Sequence, residues 1–398
     1  MEEGFHRGKI LLNEPKAIYY SGQVISGQLE FLLNSPLTYR ALMIKFSGKA
    51  TVAWTEKETE VTEGVQRTRE VEYKGHQDYF QFEQCVSGGE GTSHFSPGRY
   101  SFPFQYKIPD GAPSSFVGEK GRVAYSVSAY LVYSANQYKM DEIVKDFNVI
   151  APLDMNTGSE RLREPIEMEF EEYYSCSWFC DARPVAVRVR LPVSGYCPGQ
   201  RVPVAVRAHN DSAYEITRII LQIVQKERYK SLQPPSEYIS EEKVLAKVKR
   251  GPVLGGGTRR EFCCELPVPA MLAVNLENCS VIDLGYFFKV IIKLSGLNPD
   301  MTDDCEICLG LVPLRETCAA PYVHPLRHEL PLAPLHPPGP PPAPSPPPPY
   351  RPPAAQPSAP PGEEAPPLDI GFRVPRGDPE DAGPVESVEL KNTSAAAH

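Results

Sequence analysis

Cys305 and Cys308, separated by two residues, precede His324 and His328, separated by three, in this 398-residue chain. That spacing meets the frame of a tetrahedral zinc finger. Pro313, Pro321 and Pro325 interrupt it, and Pro325 falls between the histidines, where a finger needs a helix turn. Cys305–Leu311 also fits a strand, so core thiols are the competing reading and no metal is expected. Cys176 and Cys180 are followed by no helix or βαβ unit of the kind a redox pair uses. Gly255-Gly256-Gly257 lacks the flanking strand and helix of a phosphate loop, and no nucleophile elbow or dinucleotide fingerprint occurs. The eight histidines are scattered. These patterns predict no enzyme and no cofactor.

Two other patterns suit recognition. Pro347-Pro348-Pro349-Tyr350 is a PPxY sequence, and Pro357-Ser358-Ala359-Pro360 is a PSAP sequence. Proline fixes φ near −65°, so such segments are close to polyproline II and lose little entropy on docking. Composition matters to their weight. Of the 43 prolines, 24 lie in residues 321–398. A PPxY arises there by chance with odds of roughly one in five, and a PSAP with odds of roughly one in twenty. The second motif is therefore the more specific. Pro234-Pro235-Ser236-Glu237-Tyr238 is a near match with one residue too many.

The elements that must present these motifs follow from composition and periodicity. Net charge is −9; residues 321–398 carry five Lys/Arg against nine Asp/Glu, leaving about −5 for the body. Neither part is basic, which argues against nucleic acid. The proline shift marks a folded body and a disordered tail. The start, MEEGFHRGKILLNEP, has no signal-peptide run, and Val281–Leu297 is broken by Asp283, Lys289 and Lys293. A cytosolic chain with mostly reduced core thiols is expected, and the sequons at Asn210, Asn278 and Asn392 should be unused.

Period two runs through the body. Leu29, Phe31 and Leu33 alternate with Gln28, Glu30 and Leu32; Leu42, Ile44 and Phe46 repeat every second residue; Ile166, Met168 and Phe170 sit between glutamates; Val185, Val187, Val189 and Leu191 continue the pattern. Each describes a strand with one packed face. Punctuation between strands is read at Tyr20-Ser21-Gly22 and at Ser87–Gly91. Many short strands without amphipathic helices predict β-sandwiches. An internal repeat at an offset of 177 residues sets Ser21-Gly22-Gln23 on Pro198-Gly199-Gln200, and Leu42, Ile44 and Phe46 on Ile219, Leu221 and Ile223. Leu29 and Phe31 fall on Val206 and Ala208. A one-residue slip would reverse the buried face, so the shared phase means two similar sandwiches. Phe102–Pro109 echoes Phe262–Pro269.

Tyr19–Gly22 with Gly27, then SPGRYSFPFQYKIPDGAPSSFVG (Ser96–Gly118), then Ala151–Asn156 resemble the amino-terminal arrestin domain. Ser194–Gln200 and Glu261–Pro269 look like the carboxy-terminal one. With its PPxY tail the chain is similar to the α-arrestins. The resemblance implies an all-β fold of two arrestin-type immunoglobulin-like β-sandwiches followed by a disordered Pro-rich tail. The expected boundaries are an N-terminal domain at 1–152, a joint at 153–165, a C-terminal domain at 166–318 and the tail at 319–398. It also implies a non-enzymatic cytoplasmic adaptor for membrane receptors or transporters, recruited to plasma membrane, endosomes or budding vesicles. Pro347, Pro348 and Tyr350 would dock WW-domain HECT-type ubiquitin ligases, with the prolines in an aromatic groove. Pro357, Ser358, Ala359 and Pro360 would dock the ubiquitin-binding variant domain of ESCRT-I. The alternative implied is a signalling arrestin that desensitises phosphorylated receptors through Lys9 and Lys16 on the first strands.

Overall fold

The computed structural model describes residues 5–62, 65–134, 137–138, 142–157, 160–175, 181–317 and 321–331. The first ten strands are β1 (Lys9–Leu12), β2 (Ile18–Tyr20), β3 (Val24–Leu33), β4 (Leu37–Thr62), β5 (Val65–Phe95), β6 (Gly98–Lys107), β7 (Phe116–Val117), β8 (Gly121–Ser134), β9 (Gln137–Tyr138) and β10 (Ile143–Ile150). They form a three-stranded sheet, β1-β3-β6, and a seven-stranded one, β2-β10-β8-β4-β5 with β7 and β9 on β8. The second set is β11 (Ile166–Tyr174), β12 (Arg183–Leu191), β13 (Gly195–Tyr196), β14 (Arg201–Asn210), β15 (Ile216–Leu232), β16 (Pro235–Arg250), β17 (Thr258–Pro267), β18 (Ile282–Leu294) and β19 (Met301–Leu309). These build β11-β12-β14-β17 and β13-β19-β18-β15-β16.

The alternation seen in the sequence is the reason for these layers. Leu42, Ile44 and Phe46 on β4 and Ile219, Leu221 and Ile223 on β15 are all fully buried. Each such side chain contributes about 1.5–3 kcal/mol by leaving water. Phe46 meets Phe104 of the facing sheet edge-on at 5.8 Å. Met168 and Phe170 on β11 face inward while Glu167 and Glu169 pair outward with Arg190 and Arg188. The expected all-β architecture of two arrestin-type sandwiches is what the chain adopts.

The repeat extends to single hydrogen bonds. Gly22 and Gly199 both take left-handed φ, +82° and +83°, a conformation that disfavours any residue with a Cβ. Gln23 Oε1 accepts the Tyr20 N–H at 2.7 Å, and Gln200 Oε1 accepts the Cys197 N–H at 2.7 Å. The main-chain N–H of Ile108 donates to Gln23 O at 2.9 Å, and that of Val268 to Gln200 O at 2.8 Å. The short strands β2 and β13 then run parallel to β10 and β19 in turn. Replacing either glutamine by leucine strands a buried N–H. Gln23→Leu and Gln200→Leu should each cost about 1–3 kcal/mol, read as a lower urea midpoint with an unchanged slope.

One sequence reading needs correction, and one has exceptions to name. Ser87–Gly91 does not separate strands; it lies inside β5, opposite β4. Gly88, Gly89 and Gly91 have φ of +80°, +113° and +72°, so the chain bulges out and the ladder skips from Gly88–Ala41 to Ser93–Tyr39. The thiols are not uniformly core groups either. Cys197 and Cys264 are buried, but Cys85 and Cys263 are exposed, Cys263 because it takes the solvent phase of β17 beside buried Cys264.

Candidate functional site: the seam and the segment toward the tail

The two sandwiches meet along a seam with three zones. At the first, the chain leaving β10 runs against the chain leaving β19. Met155 is fully buried, and the N–H of Leu311 donates to Leu153 O at 3.0 Å. Asn156 fastens the contact, donating from Nδ2 to Pro313 O at 2.8 Å and accepting the Arg315 N–H at 3.1 Å. Gly310 must be small here, since a Cβ would stand 2.6 Å from Met155 Cγ.

At the second zone, Lys74 and Gln233 exchange main-chain hydrogen bonds of 2.8 and 2.9 Å. Gln77 bridges the same gap, donating to Asn278 O at 3.0 Å and accepting from the Ser280 N–H at 2.6 Å. Asn278, read as an unused sequon, is a seam residue that donates to Gly111 O at 3.1 Å.

The third zone is polar and buried. Glu227 on β15 is 7 % exposed. Its carboxylate accepts from the Tyr229 hydroxyl and, at 2.7 Å, from Gln225 Nε2. Gly118 of the first sandwich presses onto this pair, while Lys120 nearby is 4.0 Å from Glu241 instead. A buried charge without hydrogen bonds costs several kcal/mol, so these donors are what make the site tolerable. Nothing in the stretch Gln225–Lys230 marks it as buried, because the second half of β15 is covered by the other sandwich and not by its own. Apolar contacts follow the same line. Ile18, Tyr20 and Ile150 belong to the second core, and Tyr229, Leu276, Val281 and Ile282 to the first.

The motif Ser96–Gly118 finds its purpose beside this seam. Ser115 Oγ accepts the Val149 N–H at 2.9 Å and Ser114 Oγ the Ala151 N–H at 3.0 Å, while Pro113 O accepts from the Tyr125 hydroxyl at 2.7 Å. Asn210 is likewise a structural residue. Fully buried, it donates to Tyr214 O at 2.7 Å and to Val253 O at 3.3 Å.

Burial pushes Cys305 and Cys308 up to about 11, the reverse of what a nucleophilic or metal-binding thiolate needs. Cys305 Sγ lies 3.7 Å from Met168 Sδ, His324 bonds to main-chain groups, and His328 faces Glu329. Among the described residues no group of three or more His, Cys, Asp or Glu is placed to hold a metal. Lys9 begins β1 and is exposed, but Lys16 sits in the turn after β1, not on a strand, and donates to Leu330 O at 2.9 Å. Pro347, Pro348, Tyr350, Pro357, Ser358, Ala359 and Pro360 lie outside the described residues, as do Cys176 and Cys180.

Burial pushes the hydroxyls of Tyr19 and Tyr20 up to about 12 and raises Tyr79, Tyr125, Tyr196, Tyr229 and Tyr286 as well. The folded chain thus keeps protons that the unfolded chain releases near pH 10. Stability should be full below about pH 10 and fall as pH rises through 12, by about 1.4 kcal/mol per pH unit for each such tyrosine. Urea midpoints at pH 8, 10 and 11.5 check this; a flat profile would contradict it.

Comparison with known proteins agrees with this arrangement. The sequence matches the Arrestin (or S-antigen), N-terminal domain family over residues 8–156 and the Arrestin (or S-antigen), C-terminal domain family over residues 181–314. It is 24 % identical to human Arrestin domain-containing protein 4 over 311 residues, covering 77 % of this chain and 71 % of that protein. It is 26 % identical to Caenorhabditis elegans Arrestin domain-containing protein 17 over 322 residues, covering 77 % and 71 %. It is 22 % identical to human Arrestin domain-containing protein 1 over 330 residues, covering 83 % and 69 %. No helix among the described residues is long and apolar enough to cross a membrane. With both domain matches in order on two seam-joined sandwiches, this chain belongs to the arrestin family, on its arrestin-domain-containing (α-arrestin) branch.

Proposed function

We propose that this chain is a non-enzymatic trafficking adaptor. Its arrestin body engages membrane receptors, transporters or membrane patches. Its tail, residues 319–398, engages WW-domain HECT-type ubiquitin ligases through Pro347, Pro348 and Tyr350. The ubiquitin-binding variant domain of ESCRT-I is engaged through Pro357, Ser358, Ala359 and Pro360. The outcome is ubiquitin-dependent sorting or vesicle budding, with the protein cytoplasmic and recruited to plasma membrane and endosomes.

One observation carries the reading: a PPxY and a PSAP, seven residues apart counted from Tyr350 to Pro357, follow a body of two arrestin domains. Two recognition patterns of this kind serve no need of a catalyst or a closed scaffold, and both are suited to short, weak, reversible docking. The signalling alternative is disfavoured by Lys16, whose ammonium is engaged by Leu330 O. Proximity labelling in cells, comparing the full chain with Tyr350→Ala and Pro360→Ala, tests the proposal. Loss of the ligases in the first variant and of ESCRT-I in the second is the expected result. Retention of both partner sets in both variants would remove the adaptor reading.

A further inference from the structure

Residues Pro321–Pro331 leave the second sandwich and lie back across it as a strap. Tyr322 donates its hydroxyl to Pro198 O at 2.9 Å. Pro325 covers Gly199, where a Cβ would stand 2.8 Å from the proline ring. Leu330 packs against the second core, and its carbonyl accepts from Lys16 of the first sandwich at 2.9 Å. His324, 6 % exposed, sits at the centre of these contacts. Its Nδ1 accepts the Leu326 N–H at 3.1 Å. A main-chain N–H can only donate, so Nδ1 carries no hydrogen. Its Nε2 stands 3.1 Å from Met271 O, which can only accept, so Nε2 carries one. Both ring nitrogens are committed, and only the neutral ring satisfies both.

We propose that the strap is a proton-operated clasp, docked while His324 is neutral and released when its ring takes a second proton. The imidazolium would set an Nδ1–H against the Leu326 N–H, two donors facing each other in a buried place. The charged and titratable groups around the ring are few. The Met271 carbonyl on Nε2 and Glu329, 3.4 Å from His328, favour the imidazolium; Arg327 lies on the strap itself and Lys16 at its far end on Leu330 O. Pro269–Asn275 and Cys197–Gln200 bring no acid or base except the Cys197 thiol, and the Tyr322 ring stands edge-on at 6.3 Å. Burial outweighs the carboxylate and holds His324 below its ordinary value. The docked strap therefore binds fewer protons than the free one. Docking is complete above the ordinary histidine pKa of about 6.5 and weakens as pH falls below it. Release would free eleven residues (321–331) that precede Pro347–Tyr350 and Pro357–Pro360 in the chain.

Amide hydrogen exchange on the full chain at pH 7.5 and 5.5, corrected for intrinsic rates, tests this. We expect roughly tenfold lower protection at Leu326, Arg327, Glu329 and Leu330 at pH 5.5, with β14 unchanged; tenfold per pH unit is the limit set by one proton. Ring NMR should show His324 titrating below the ordinary histidine value. His324→Asn supplies an amide oxygen that can accept the Leu326 N–H and cannot titrate, so its strap should be equally protected at both pH values. An ordinary His324 titration with unchanged protection overturns the clasp, and so does a pH dependence that survives His324→Asn. Should that variant fail to dock at either pH, the titration and exchange of the parent chain decide alone.

Discussion

Tyr350→Ala is expected to weaken binding of a purified WW-domain tandem to the full chain by at least about tenfold, measured by calorimetry. A tyrosine ring seated in an aromatic-lined pocket contributes about 1.5–3 kcal/mol from burial, and about 1.4 kcal/mol is a factor of ten. No second site should rescue it. The near match Pro234–Tyr238 is locked in the sheet: Tyr238 pairs with Lys230 across β15–β16, and its ring lies under Arg228 and Lys230 at 5.5 and 5.9 Å. A strand in a ladder cannot also present a polyproline II face. With one PPxY, the gain of roughly 10²–10⁴ that a linked second site provides is also absent, so the single substitution should remove most of the signal. Pro360→Ala in the same assay should leave WW binding within twofold while abolishing capture of the ESCRT-I domain. Undiminished WW binding by Tyr350→Ala would sink the ligase half of the proposal.

Gly118→Ala is expected to be the most disruptive single methyl in the seam. The added Cβ would lie against the Tyr229 hydroxyl and 2.6 Å from Glu227 Oε2, so it must break the hydrogen bond that shields a buried carboxylate or push the sandwiches apart. Overpacking of this kind costs about 1–3 kcal/mol, and stripping the carboxylate of a donor costs about 1–3 more. A loss of roughly 2–6 kcal/mol should follow, together with separation of one urea transition into two as the sandwiches uncouple. Gly111→Ala is the matched control. It stands in the same seam, but its Cβ would find only Asn278 Nδ2 at 3.5 Å, with no left-handed φ to oppose it; that change should stay within about 0.5 kcal/mol. Equal midpoints for the two variants would show that the Glu227–Tyr229 pair is not under the steric control described.

How far the chain could be read without coordinates depends on the range of the interaction. Local periodicity reported the strands well, since the faces of Leu42, Ile44 and Phe46 are set by their own alternation. The repeat was legible for the same reason: equal phase at both ends of a 177-residue offset demands equal burial, and the turns at Gln23 and Gln200 obey it. Ser87–Gly91 misled because glycines that permit a turn also permit a bulge, and only the partner strand decides between them. The spacing of Cys305, Cys308, His324 and His328 could be weighed only through the prolines that interrupt it, because a spacing does not say where a side chain points. The thiols face the core while His324 is spent on Leu326 and Met271.

Proline content and the order of two motifs are what suggest a body and a tail and what the tail would recruit, because such docking depends on a few consecutive residues and on φ values that proline presets. Residues brought together across more than a hundred positions were beyond that reach. Glu227 against Gly118, Gln77 against Ser280 and Lys16 against Leu330 are contacts between surfaces of different sandwiches or segments. Their burial is conferred by docking, and no alternation within one strand records it. The seam and the strap therefore belong to the assembled fold, while the strands and the PPxY and PSAP patterns are written in the chain.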